Sequence, residues 1–204
     1  MYIELIDLLR CPRDHEETWM VAAFTKMDGR FVLEGRLGCP VCGSSYSIAN
    51  GIADLRINSN VAPASDEATP SDADAAIRLA ALLNLTRPGA LVILSGENAA
   101  SAHEVSELGQ SRIIALNPVG HIGDSERVAT VLADSRLPLA SSSVYGIALT
   151  DDAALSEDIK RVLQPGGRAV LSADAAIPLG LNELARDAHN VVAEALGPVV
   201  SLRR

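Results

Sequence analysis

Cysteine is the residue type best placed to do chemistry in this chain. All three cysteines, Cys11, Cys39 and Cys42, lie in its first quarter. Cys39-Pro40-Val41-Cys42, preceded by Gly38 and followed by Gly43, has the spacing of a metal knuckle. A turn of that length brings two thiolates to one ion, and two further ligands complete a tetrahedron. Cys11-Pro12 supplies a third thiolate. Three residues after Cys11 comes Asp14, and His15 follows it. Spacing favours Asp14 as the fourth ligand, whereas imidazole is the better ligand near neutral pH, which favours His15. In a reducing compartment such clustering points to metal ligation rather than a disulfide, and zinc is the expected ion.

These ligands need a scaffold. Residues 18–25 and 31–37 read as two strands joined at Asp28-Gly29, a tight-turn signal. The cysteine knuckle follows directly, and residues 46–55 add one short strand. Residues 58–70 are polar and aperiodic, which marks a linker and divides the chain into segments 1–57 and 71–204. Beyond it, Ser71 or Asp72 can cap a helix running to about Asn84. Short apolar runs then alternate with helical ones. Strands are expected at 90–94, 112–116, 127–133, 144–149 and 168–172, and helices at 99–108, 153–163 and 181–196. A last strand is read at 199–202. That alternation implies a doubly wound α/β sheet. At most one clear strand is expected after Ser172, so an open edge would need cover, and a homodimer is one way to cover it.

The 204 residues are 48% hydrophobic but only 3% aromatic, so the core must be aliphatic, as suits a helix-covered parallel sheet. A formal charge of −9 argues against strong nucleic-acid binding by this chain alone. No apolar run is long enough to span a bilayer and no signal peptide opens the chain, so a cytoplasmic location is expected. A hydrolase triad has no support, because no Gly-x-Ser-x-Gly elbow is present.

Two sets of motifs carry a resemblance. Leu8-Leu9-Arg10-Cys11-Pro12, then Gly38-Cys39-Pro40-Val41-Cys42-Gly43, then Tyr46-Ser47-Ile48-Ala49-Asn50-Gly51-Ile52 resembles the zinc-ribbon activator proteins of tRNA, rRNA and protein methyltransferases. Where that family has a second cysteine, this chain has Asp14. Downstream, Ala133-Asp134-Ser-Arg-Leu-Pro-Leu139, Ser143-Val-Tyr-Gly-Ile-Ala148 and Arg161-Val-Leu-Gln-Pro-Gly-Gly-Arg168 resemble segments of the class I S-adenosylmethionine-dependent methyltransferases. The combined resemblance implies a reduced Rossmann-like α/β sheet preceded by a small β-rich zinc-ribbon-like domain. It also implies a methyltransferase or translation-related protein as partner.

The resemblance further implies cofactor positions. The glycine-rich loop of that family corresponds to Leu94-Ser95-Gly96-Glu97-Asn98-Ala99-Ala100, where one glycine remains and Glu97 would oppose the carboxylate of S-adenosylmethionine. The ribose-binding acid corresponds to Asn117, a weaker acceptor. Asp134 would face the adenine amine. Asp151 and Asp152 follow the fourth strand and read as a helix cap. The function implied is a methyltransferase-like protein with weak or lost S-adenosylmethionine binding and a regulatory or partner-binding role. An active methyltransferase of unknown substrate is the alternative.

Overall fold

The computed structural model describes residues 1–58, 72–123, 125–150 and 153–197. A 3-10 helix over Ile3–Leu8 opens the chain. Strands β1 (Val21–Asp28), β2 (Phe31–Gly38), β3 (Ser45–Ala49) and β4 (Ile52–Asp54) follow as an antiparallel meander. The later segment contains α1 (Ala73–Leu82), β5 (Leu91–Ser95), α2 (Ala102–Gly109), β6 (Arg112–Leu116), β7 (Val128–Leu132) and β8 (Val144–Ala148). It continues through α3 (Ala153–Ser156), α4 (Ile159–Val162), β9 (Leu163–Ser172), β10 (Leu181–Arg186) and β11 (Asn190–Ala195). Among the described residues no helix is long and apolar enough to cross a membrane.

All eleven strands form one sheet, in the order β1-β2-β3-β4-β7-β6-β5-β8-β9-β11-β10. The middle six, from β4 to β9, run parallel. From β5 the chain winds outward one way through β6 to β7, then returns to the other side of β5 as β8. That reversal makes a Rossmann-like, doubly wound core, with its topological switch point between β5 and β8.

Strand side chains alternate between two apolar layers. Leu91, Ile93, Ile114 and Leu116 face one layer, while Val92, Leu94, Ile113 and Ala115 face the other. α1 and α2 cover the second layer with Ala76, Leu79, Ala102 and Val105. Leu155, Ile159 and Val162 of α3 and α4 cover the first, beside Leu5, Leu9, Leu37 and Leu55 of the N-terminal segment. The N-terminal meander therefore shares both sheet and core with the α/β segment. The chain between them, read as a linker at 58–70, lies outside the described residues from 59 onward, as does Ser71. Asp72 caps α1, its carboxylate accepting from the Asp74 amide at 3.0 Å.

Three readings need correction. Residues 46–55 form two strands, split by Asn50-Gly51, both at positive φ (50° and 79°). That dipeptide is the strongest two-residue hairpin signal. The helix expected at 153–163 is broken into two single turns, and β9 begins at Leu163. Gln164-Pro165-Gly166-Gly167 is a bulge inside that strand: Val144 pairs with Leu163, but Gly146 already pairs with Arg168. A Cβ on Gly167 would sit 2.9 Å from the carbonyl oxygens of Gln164 and Tyr145, so only glycine fits. The helix expected at 181–196 is the β10–β11 hairpin. Its turn is built by Asp187, whose carboxylate accepts from the His189 and Asn190 amides at 2.7 and 2.8 Å. β11 then inserts between β9 and β10, burying Val191 and Ala195 in one layer and Val192 in the other. Helix formers in β10 yield to that pairing. Two strands, not one, thus follow Ser172, and the strand read at 199–202 lies outside the described residues.

Candidate metal centre

Two loops converge at one end of the meander. The first is bounded by an antiparallel bridge between Arg10 and Trp19 and carries Cys11 and His15. It is tied to the α/β segment, because Arg10 N–H donates to Pro138 O at 2.9 Å and Ala140 N–H donates to Leu8 O at 2.9 Å. The second is the turn from β2 to β3. There Cys39 N–H donates to Ser44 O at 2.8 Å and Gly43 N–H to Cys39 O at 3.0 Å, with Gly43 at φ +71°. These bonds fold the turn back so that both of its thiols face the first loop.

The ligand atoms of Cys11, His15, Cys39 and Cys42 all lie within 4.8 Å of one another. Cys11 Sγ is 3.8 Å from Cys42 Sγ, and Cys39 Sγ is 3.3 Å from His15 Nε2. A zinc tetrahedron with bonds of about 2.3 Å to sulfur and about 2.0 Å to nitrogen has edges of roughly 3.8 and 3.5 Å. The four side chains are therefore spaced to bind one tetrahedral ion. Asp14 stands outside this group and lines a surface cleft with Ser135, Arg136 and Glu157. Of the two candidate fourth ligands, the fold turns His15 inward.

Outer contacts orient the ligands, as metal sites require. His15 Nδ1 bonds the Glu16 carbonyl at 2.7 Å, leaving Nε2 to face the thiols. That bond to the Glu16 carbonyl stabilises the imidazolium and raises the His15 pKa in the metal-free protein. Tyr46 OH lies 3.4 Å from Cys11 Sγ. Burial pushes the Cys11 thiol up. Cys42 is exposed, and hydrogen bonds from the Ser44 hydroxyl and amide hold its thiol down to about 6. Ser44 and Tyr46 went unnoticed as ligand-orienting residues, although Tyr46 lies in a motif that signalled the ribbon.

The residues read as cofactor contacts lie elsewhere, at the carboxyl ends of β5, β6 and β7. Gly96 follows β5 at φ +55°, and a Cβ there would clash with Thr150 Oγ1. Ser95 Oγ accepts from Thr150 N–H at 3.0 Å across the switch point. Glu97 is exposed on a 3-10 helix spanning Gly96–Ser101. Asn117 spends both halves of its amide on one backbone unit: Nδ2 donates to Ala133 O at 2.7 Å, and Oδ1 accepts from Ala133 N–H at 2.9 Å. Asp134 accepts from Ile57 N–H on Oδ1 at 2.9 Å and from Asn58 N–H on Oδ2 at 2.6 Å. Asp151 and Asp152 lie outside the described residues.

A half-buried latch joins the two segments near the metal loops and was not read from the sequence. Arg161 donates to Leu139 O at 2.6 Å and to Leu137 O at 2.7 Å. It also pairs with Asp158 at 2.6 Å and with Glu17 of the first metal loop at 3.2 Å. Glu17 in turn accepts from Ser141 N–H and Oγ–H.

No protein-family model and no curated protein matches the chain. Solved structures do. Geranyl diphosphate C-methyltransferase from Streptomyces coelicolor A3(2) is 15% identical, with a TM-score of 0.40 over 47% of this chain and 41% of that one. The antibiotic-resistance methyltransferase Kmr is 12% identical, with a TM-score of 0.43 over 67% of this chain and 98% of that one. The [4+2]-cyclase SpnF is 18% identical, with a TM-score of 0.43 over 55% of this chain and 58% of that one. The chain spans less than half the length of the geranyl diphosphate methyltransferases it matches.

Proposed function

We propose that this chain is a zinc-clamped, methyltransferase-like scaffold with weak or lost S-adenosylmethionine binding, acting through protein partners rather than by methyl transfer. One observation carries the reading: Asn117 and Asp134, the residues that would anchor ribose and adenine, each have both polar atoms engaged with backbone. Those bonds fix both side chains toward the protein's own backbone, so turning either one to a cofactor would cost about 1 kcal/mol or more for each bond it gave up. Asp134 in particular ties the exit of β4 to the exit of β7, so freeing it would loosen the junction between the segments.

Zinc has a structural role in this reading. Cys11, His15, Cys39 and Cys42 would hold it in a closed set of four protein ligands, as in structural rather than catalytic sites. The metal would fix the first loop, and through Glu17 and Arg161 it would brace the α/β segment. The resemblance to methyltransferase activators makes a methyltransferase or translation-related protein the expected partner class.

Calorimetry with S-adenosylmethionine and S-adenosylhomocysteine tests the cofactor claim. The expected result is no binding tighter than high micromolar, and a low-micromolar dissociation constant would refute it in favour of an active enzyme. Elemental analysis of protein purified without added metal tests the clamp. Zinc near one equivalent per chain is expected, and its loss in Cys39→Ser would follow.

A further inference from the structure

A cleft of about 620 Å³ opens at the end of the sheet opposite the β5–β8 switch point. Tyr2 and the β1–β2 turn form one side, and Arg112 at the start of β6 and Glu126 ahead of β7 form the other. The first side is held firmly. Ile3 N–H donates to Arg30 O at 3.0 Å, Val32 N–H donates to Met1 O at 2.8 Å, and Tyr2 bridges Phe31. The volume is that of a small-molecule site.

Two features show unspent binding capacity. Tyr2 is only 3% exposed, yet its hydroxyl has no hydrogen-bond partner among the described residues. Buried hydroxyls are almost always satisfied, so an orphan one at a cleft wants an explanation. Arg112 is close enough for its charge to act on that phenol. Its guanidinium makes one weak bond, Nε to Gly89 O at 3.3 Å, and no ion pair among the described residues. A buried O–H donor and an unpaired guanidinium together suit a carboxylate.

The remaining charges narrow the ligand. Arg30 is paired with Glu4 and cancels it. That leaves Arg112 against Asp28 and Glu126, one positive charge and two negative. A ligand complementary to this set has one carboxylate and two cationic groups, separated by a short apolar chain that Phe31 can face.

We propose that this cleft binds a free basic α-amino acid, its carboxylate on Arg112 and the Tyr2 hydroxyl and its two cationic groups toward Asp28 and Glu126. This site is independent of the metal and of the fate of S-adenosylmethionine. Isothermal titration of L-arginine and L-lysine into the full chain, with no tag at its N-terminus, is the test. Saturable binding with a submillimolar dissociation constant is expected. Agmatine, which lacks the carboxylate, and Nα-acetyl-L-arginine, which lacks the amine charge, should each bind at least about tenfold more weakly, the loss of one charge-assisted pair. Tyr2→Phe should weaken L-arginine binding several-fold without lowering the melting temperature, because it removes a hydroxyl that is unsatisfied in the free protein. Arg112→Met should abolish the preference for L-arginine over agmatine. The absence of heat from both amino acids at millimolar concentration would overturn the proposal. Agmatine binding as tightly as L-arginine, or a Tyr2→Phe variant with unchanged affinity, would do the same.

Discussion

Asn117→Asp separates the two roles open to Asn117. If the side chain anchored a ribose, an acid there would strengthen cofactor binding and leave the fold alone. The structure gives a different outcome. Asn117 sits at φ +45°, a left-handed conformation that Asn and Asp both tolerate, so the backbone is nearly neutral to the exchange. Its own N–H donates to Val131 O at 3.0 Å, and its side chain then adds two further bonds to Ala133, extending the β6–β7 ladder. A carboxylate keeps the bond from Ala133 N–H but cannot donate to Ala133 O. It would place oxygen against oxygen where nitrogen now lies 2.7 Å away. Losing that bond and stranding a carbonyl costs about 2–3 kcal/mol. For a chain of this length that lowers the melting temperature by roughly 4–12 °C. The sign of its pH dependence follows. The neutral acid can donate to Ala133 O, so the folded state raises the carboxyl pKa above the unfolded value of about 3.9. The deficit against wild type is therefore absent below that value, grows as pH rises through the folded pKa, and is constant above it. Thermal melts from pH 3.5 to 8, paired with calorimetry against S-adenosylmethionine, are the assay. A variant as stable as wild type at pH 7.5, with tighter cofactor binding, would refute the reasoning.

Four other perturbations have expected outcomes. Arg161→Ala removes the donors to Leu137 O and Leu139 O and leaves Asp158 only its contacts with Arg136 and the Leu137 amide, which should cost about 2–4 kcal/mol by chemical denaturation, with Arg161→Lys recovering less than half because it cannot form the fork. Gly96→Ala should lower stability by about 1–3 kcal/mol, through its φ of +55° and a contact with Thr150 Oγ1, and Thr150→Ala should relieve part of it in a double-mutant cycle. Chelation of a zinc-loaded sample should lower the melting temperature of wild type but not of a Cys11→Ser variant, and equal responses would count against a metal clamp. The bidentate bond from Arg56 lowers the Asp54 pKa below its ordinary value, so its contribution is present above about pH 4 and is lost as pH falls through the folded pKa. Asp54→Asn should flatten that acid limb while leaving the slope near neutrality unchanged.

Those perturbations bear on one feature of the architecture. β4 pairs in parallel with β7 through Ala53–Val131 and Asp54–Leu132, and Leu55 N–H donates to Leu132 O at 2.9 Å. Asp134 carries the same zipper two residues further by side chain. The N-terminal meander thereby becomes an extension of the parallel sheet at the β7 edge. On the opposite flank β10 is the terminal strand, almost wholly exposed, and β1 is terminal on the near side. Trp19, Val21 and Met27 lie exposed along or beside β1.

Local signals in the sequence determined a large part of this protein. Apolar runs of five residues predicted β5 to β8 closely, since strands buried on both faces must be continuously aliphatic. Cys39-Pro-Val-Cys42 and Cys11-Pro12 named three members of the Cys11, His15, Cys39 and Cys42 cluster, because a knuckle is a property of short spacing. Tertiary structure decided the rest. His15 rather than Asp14 faces the thiols because the Arg10–Trp19 bridge and the Glu16 carbonyl orient that loop. Residues 181–196 became a hairpin because β9 offers an open edge that β11 fills, and local propensity carries no record of that neighbour. Asn117 and Asp134 were legible as polar residues at strand ends, but whether such a side chain meets a ligand or a backbone amide depends on what lies across from it. Ile57 and Asn58 are 77 and 76 residues away in the chain from the carboxylate that holds them. No spacing rule reaches that far, because only the parallel pairing of β4 with β7 brings the two ends together.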